Sequence, residues 1–401
     1  MPIRSTPLPQ LPQRFDLDDL RPLAQALESN KLWYWQEGGY VSQLVNRLQE
    51  IYSPRLAATT SSGTASLHVA VAAAQVPAGS EVVTSPITDQ GTVIAILYQN
   101  AIPIFADVDP LTSNITADSI DAVITERTKA VIVVHLTGCP AEIEPIVELC
   151  KKRNLVLIED CAQGLGATYG GRAIGTFGDF GCYSLNDQKH ITCGEGGFVL
   201  TDTQERFFLC HNYADKYYDR HRRGVRFHGL APNYRMNELD GALGLAQFGR
   251  LKDVVVKRRQ LGDYLTERLT GVDGVIPPGR PSRAEASYFF YMFRVDSSAL
   301  QINRDQFIAA LAQEGIPSRG GYTPWPLYRA PVFLTKAFFP GGIWPAELVA
   351  GRSYDYSKVC LPNTELALAT TISLTLHEGF EIGDVEDYAA AIRKVAHENL
   401  R

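Results

Sequence analysis

Three short segments of this chain combine residue types and spacings that could do chemistry. The first, SSGTASLHVAVAA from Ser61 to Ala73, is a small-residue turn that runs straight into a helical pattern. Gly63 and Thr64 would present free N–H groups at the positive end of that helix, where a phosphate fits; an ordinary helix cap has the same pattern. In the second, LVLIEDCAQGLG, a buried strand ends in the acidic pair Glu159 and Asp160, with Gln163 close behind. Ligands of open α/β sheets bind at the carboxyl ends of strands. Asp160 could therefore hold a ring nitrogen protonated while Gln163 reaches another polar atom of the same ligand, the plain alternative being an acid that caps a loop. The third, DFGCYSLNDQKHITCGEGGFVLT, is a strand, a polar excursion and a second strand introduced by Gly194-Glu195-Gly196-Gly197. Lys189 lies between the two strands in a stretch short on charge, and partial desolvation there pulls an amine toward neutrality, as a Schiff-base nucleophile requires. No one of these features is specific; their order in one α/β unit, cradle, strand-end aspartate, then lysine, carries the argument.

The elements that must position these groups repeat one theme. From Arg55 to Leu200 short apolar runs (RLAATT, EVVTS, AIPIFADV, KAVIVVH, LVLIED, DFGCYSL, GFVLT) alternate with helical stretches such as TASLHVAVAAAQ, IDAVITER and AEIEPIVELCKKRN. Runs apolar nearly throughout suit strands buried on both faces, and the alternation predicts a doubly wound, mostly parallel sheet. Thr116 and Asp118 read as a helix cap, and Pro140 as the start of a first helical turn. Past Asn237 the pattern NELDGALGLAQFGRLKDVVVKRRQLGDYLTERL predicts one long helix bridging two domains. An aromatic strand (YFFYMFRVD), the helix RDQFIAALAQEG, a proline-rich loop over 317–331 and a closing helix from Asp384 then predict a smaller α+β domain. The division expected is a large domain over 1–250, with an N-terminal helical arm, and a small one over 251–401.

Composition narrows the classes. A chain of 401 residues implies two or three units at roughly 100–200 residues each. With 45% hydrophobic and 20% charged residues it can bury a core. A formal charge of -6 argues against nucleic acid or an anionic membrane as a partner held by bulk charge. The start carries no apolar run of signal-peptide length, and nowhere does an apolar stretch reach membrane-spanning length; a soluble, cytoplasmic protein is expected. The 7 cysteines include no C-x-x-C pair and read as reduced core thiols, with neither disulfides nor a metal site expected. His68, on an apolar helix, is expected to be packed.

In their order, the segments resemble the DegT/DnrJ/EryC1/StrS family of pyridoxal-phosphate sugar aminotransferases. The resemblance spans nearly the whole chain: SGTASLH at Ser62–His68, IPIFADVDP at Ile102–Pro110, VVHLTG at Val133–Gly138, IEDCAQ at Ile158–Gln163, SLNDQK at Ser184–Lys189, GEGG at Gly194–Gly197 and NYRM at Asn233–Met236. It implies a fold-type-I architecture with pyridoxal 5'-phosphate as cofactor. Lys189 matches the cofactor-linking lysine, Asp160 the acid that keeps the pyridine nitrogen protonated, and Gln163 a contact to the ring oxygen. Gly63, Thr64 and Ser184 match phosphate ligands. Asn233 matches an asparagine that reaches the phosphate from a neighbouring subunit, which implies a homodimer with composite sites.

One departure stands out. Where the family usually places an aromatic over the cofactor ring, this chain reads PITDQGT and puts Asp89 there. Asp89 and His190 are the candidate substrate contacts, and the basic run KYYDRHRRGVRFH from Lys216 to His228 could meet a phosphorylated or nucleotide-linked substrate. The expected activity is amination of a keto sugar or keto-cyclitol with glutamine or glutamate as donor, the keto-cyclitol or free sugar being preferred to a nucleotide-linked one. A deoxysugar dehydratase, which has histidine where the lysine should be, and a non-catalytic regulatory protein are the alternatives.

Overall fold

The computed structural model describes residues 2–220 and 228–401. All seven apolar runs form strands of one sheet: β1 Leu56–Thr60, β2 Glu81–Thr84, β3 Ile102–Phe105, β4 Thr128–Val134, β5 Val156–Asp160, β6 Phe180–Ser184 and β7 Gly197–Thr201. Their order is β1-β7-β6-β5-β4-β2-β3, and only β7 runs antiparallel to its neighbours. Helices cover both faces, so Val82, Val83, Ala130, Ile132, Ile158 and Phe180 are fully buried, as strands enclosed on two sides require. Because β7 lies between β1 and β6, Gly197 pairs with Thr60 on one side and with Ser184 on the other. The ends of β1, β5 and β6, where the three chemical segments begin, therefore open onto one region.

The C-terminal part builds a second, antiparallel sheet from β8 Val275–Ile276, β9 Tyr291–Val295, β10 Arg319–Gly320 and β11 Thr371–Leu374, in the order β8-β9-β11-β10. Tyr291, Phe293, Ile372 and Leu374 pack with Leu261, Leu265, Ile392 and Val395 from two helices, Leu251–Leu269 and Ile382–Glu398. The chain around 327–356 instead packs back on the large sheet: Phe105 of β3 meets Phe333 and Tyr356 edge to face. Among the described residues no helix is long and apolar enough to cross a membrane.

Several local expectations are corrected. The long helical pattern is two helices, Glu238–Phe248 and Leu251–Leu269. The break falls at Gly249, a poor helix residue, and Arg250 turns to bond the Arg14 carbonyl, Asp16 and Asp19. IDAVITER gives only the end of a short helix, Ala117–Asp121, capped by Thr116 in a reciprocal pair with Ser119; the β-branched residues beyond it favour an extended path. Pro140 precedes rather than starts the helix Ile143–Arg153, because the Ala141 N–H is engaged by His135 Nδ1 at 3.1 Å. Six cysteines are buried, as core thiols should be, whereas Cys360 is exposed.

Candidate active site

Each segment delivers its side chain to a cavity of about 1210 Å³. Ser62 caps the helix Gly63–Ala73 by accepting from the Ala65 N–H at 3.0 Å. That leaves Gly63 and Thr64 at the helix end, whose first N–H groups have no intrahelical acceptor. Ser184, at the end of β6, closes on this turn: a Cβ at Gly63 would lie 2.7 Å from the Ser184 Cβ. Only glycine permits so close an approach.

Glu159 and Asp160 are adjacent in β5 and so face opposite sides of the sheet. Asp160 lines the cavity and is 4% exposed. Its carboxylate accepts from the Thr92 hydroxyl at 2.7 Å and from the Ala162 N–H at 3.1 Å. Burial pushes its pKa up, against the Thr92 and Ala162 hydrogen bonds and the Lys189 charge. Glu159, fully buried, accepts from the N–H groups of Gly175, Phe177 and Gly178, each at 2.7 Å, and lies 3.1 Å from His135 Nε2. Burial alone would raise it, but His135 and the Gly178 and Gly175 N–H groups hold it below its ordinary value. His135, Glu159 and Cys161 come within metal-ligand distance of one another. Both carboxylate oxygens of Glu159 are nevertheless already engaged by protein donors, which makes it a structural anchor for the loop after β5.

Lys189 sits in the loop between β6 and β7, with Nζ 4.5 Å from the centre of the Phe289 ring. Burial lowers the amine's pKa, and the charges of Asp160 and Asp89 oppose that shift. Gln163 is buried and its Oε1 accepts from the Thr137 N–H at 2.8 Å; its amide nitrogen is left as donor, within reach of the Tyr322 hydroxyl. Asp89 caps the helix Gln90–Tyr98, accepting from the Gly91 N–H at 2.8 Å, and lines the cavity.

Two sequence candidates fall outside this wall. His190 is buried, its Nε2 3.0 Å from the Ser287 carbonyl oxygen, and does not line the cavity. Asn233 is exposed on the segment that pairs with Asp215. Residues 221–227 of the basic run lie outside the described residues; of its remainder, Arg220 is engaged by Asp215 and Tyr34. Sequence reasoning missed Thr92, Phe289, Tyr322 and Arg319, all of which line the cavity. Only the aromatic density of YFFYMF offered a signal for any of them.

A helix end, a buried carboxylate and a buried amine meet in one cavity of a mostly parallel α/β sheet, the fold of the type-I aminotransferases. The chain belongs to the DegT/DnrJ/EryC1/StrS aminotransferase family, whose model matches residues 15–393 and whose typical cofactor is pyridoxal phosphate. A Micromonospora echinospora protein assigned as an L-glutamine:3-amino-2,3-dideoxy-scyllo-inosose aminotransferase is 30% identical over 411 residues, covering 98% of this chain and 95% of its own. The GDP-perosamine synthase of Escherichia coli O157:H7 is 32% identical over 305 residues, 76% of this chain and 81% of its own. An aminotransferase structure from Psychrobacter cryohalolentis superposes with a TM-score of 0.84 at 28% identity, covering 98% of this chain and 100% of that one.

Proposed function

We propose that the protein aminates a keto-cyclitol or free keto sugar, with glutamine or glutamate as amino donor, and that Lys189 is the reacting amine. The observation that carries the reading is the convergence on one cavity of Lys189, Asp160 and the Gly63–Thr64 helix end. The donor set fits pyridoxal phosphate: a helix end with N–H groups to offer, an amine, and a buried acid that among the described residues has no cation hydrogen-bonded to it. When bound, the cofactor supplies an electron-accepting ring and the carbon through which an amino group passes from donor to acceptor. The Gly63 and Thr64 N–H groups and the Ser184 hydroxyl bind its phosphate. Asp160 holds a proton on the ring nitrogen, and the Gln163 amide nitrogen, the group left over from Thr137, donates to the ring oxygen. Lys189 Nζ anchors the cofactor and, once released, takes and returns one proton as general base and then acid. Asn233 serves the phosphate of a partner subunit in a homodimer.

The His190 ring, held against the Ser287 carbonyl, supports Lys189 over its neighbour and so transamination over dehydration. Asp89 supports the choice of acceptor, because a carboxylate that lines the cavity, with one oxygen capping the helix at Gly91, repels a diphosphate and matches hydroxyl groups. The test is a half-reaction. Protein loaded with pyridoxamine phosphate should return the aldehyde form with a scyllo-inosose-type ketone, and Lys189→Ala should abolish this by about 10³-fold or more. Return with only a nucleotide-linked 4-keto sugar would overturn the acceptor, and wild-type turnover in Lys189→Ala would overturn the site.

A further inference from the structure

The turn that carries Lys189 is bonded locally: the Lys189 N–H donates to the Asn186 carbonyl at 2.9 Å, the Asn186 N–H to the Ser184 hydroxyl at 3.3 Å, the Gln188 N–H to Asn186 Oδ1 at 3.1 Å and Asn186 Nδ2 to Glu195 Oε1 at 3.0 Å. A further tie comes from far away in sequence. Arg14, 8% exposed, donates from Nη1 to the Asp187 carbonyl and from Nη2 to the Lys189 carbonyl. A planar guanidinium with two parallel donors fixes two carbonyl groups at once, which an ammonium cannot do.

Arg14 is itself held at several points. Its carbonyl accepts from Gln247 Nε2 at 3.0 Å and from Arg250 Nη1 at 2.6 Å, and Gln247 and Arg250 are tied in turn to Asp19. Upstream, the Pro9 carbonyl oxygen lies 3.2 Å from His377 Nε2, and Leu11 lines the cavity beside His377. Arg4 pairs with Asp384 at 2.9 Å and Asp387 at 2.7 Å, on the first turns of the C-terminal helix, and its N–H bonds the Glu314 carbonyl at 3.0 Å. The extended segment 3–14 thus starts on the C-terminal sheet's helices, lines the cavity at Leu11 and ends on the backbone of the lysine loop.

We propose that Arg14 is a positioning residue for Lys189, and that the segment 3–14 is a working part of the active site rather than a tail. The inference rests on Lys189 being the amine that meets the cofactor. Arg14 touches no reacting atom; it fixes the carbonyl on either side of Gln188 and so the depth to which the lysine stem enters the cavity. A displacement of the order of 1 Å at such a stem is worth roughly a hundredfold in rate. With the clamp gone the loop relaxes toward solvent and the amine recovers an ordinary pKa.

The experiment compares wild type, Arg14→Ala and Arg14→Lys by two readouts independent of turnover. One is the rate at which borohydride fixes pyridoxal phosphate onto Lys189, followed by peptide mass. The other is the pH midpoint for acetylation of the Lys189 amine in cofactor-free protein. In Arg14→Ala, fixation should slow at least about tenfold and the midpoint should move upward, with both restored in part by added guanidinium ion. Arg14→Lys, which keeps the charge and the stem and so secures a folded protein if Arg14→Ala does not fold, should show the same defects without rescue. A fixation rate within twofold of wild type together with an unmoved pH midpoint in Arg14→Lys would overturn the proposal. A wild-type protein fixed at some other residue would instead remove Lys189 from its role, a failure distinguishable from the first.

Discussion

Thr92 donates its hydroxyl proton to Asp160 across 2.7 Å, from the first turn of the helix that Asp89 caps. Thr92 Oγ1 also lies 2.8 Å from the Thr88 hydroxyl, so a short chain of hydroxyl groups runs from the Asp89 turn to the strand-end acid. Burial, and to a smaller degree the Asp89 charge, push the Asp160 pKa up against the Thr92 hydrogen bond.

Burial makes Asp160 costly to the empty protein. Its folded pKa is raised by burial. Below its unfolded pKa the acid is neutral in both states, and the stability it then contributes is lost as pH rises through the folded value. At neutral pH, Asp160→Asn should therefore raise the melting temperature of cofactor-free protein while cutting turnover about a hundredfold or more, since asparagine keeps a hydrogen bond but holds no proton on a ring nitrogen. Calorimetry without cofactor and half-reaction rates with it check the two signs. A fall in both would return Asp160 to a structural role. Thr92→Val, which removes a hydrogen bond to a charged group, generally about 1.5–3 kcal/mol, should push the Asp160 pKa higher still.

Gly63→Ala should separate the cradle from the helix. Alanine is the better helix residue by roughly 1 kcal/mol, yet its Cβ would stand 2.7 Å from the Ser184 Cβ, and neither backbone can yield without moving a strand. Cofactor affinity should fall at least about tenfold while helix content by circular dichroism stays unchanged. Retained affinity would show that the turn and Ser184 do not hold the phosphate together.

Asn233 supplies the test of assembly. Its side chain is exposed and away from the cavity of its own chain, as a group meant for another chain would be. Mixing Lys189→Ala with Asn233→Ala subunits should regenerate a fraction of sites intact at both positions, read as recovered turnover after subunit exchange. No recovery after exchange is proven by mass would count against a shared site.

The seven central strands were legible because burial on both faces leaves an apolar run with no ambiguity of face. Gly63, Asp160 and Lys189 were legible because each stands at the end of such a run. Arg14 was not, and Phe289 only as one aromatic in a dense run: each reaches Lys189 from a distant stretch of sequence, and contacts of that range leave no local pattern of their own. Lys189 and His190 show the limit most closely, since adjacent residues in a loop carry no period to say which side chain enters the cavity. The break at Gly249 was hidden because helical periodicity continues across it, and the Arg250 bonds to the Arg14 carbonyl, Asp16 and Asp19 come from the N-terminal arm, far away in sequence.

The pairing of Gly197 with both Thr60 and Ser184 bears on how the protein comes into being. Every helix-end N–H of the cradle hangs from β1, and the lysine hangs from the β6–β7 loop, so the two halves meet only when the last of these central strands slides between the other two. Closing a loop of such length is slow relative to local helix formation. During synthesis the N-terminal half must wait, with one sheet edge unpaired, until Gly197–Thr201 has left the ribosome. A ligand that touches both the Gly63–Thr64 turn and Lys189 can therefore be held by both only after Gly197–Thr201 has paired with β1 and β6.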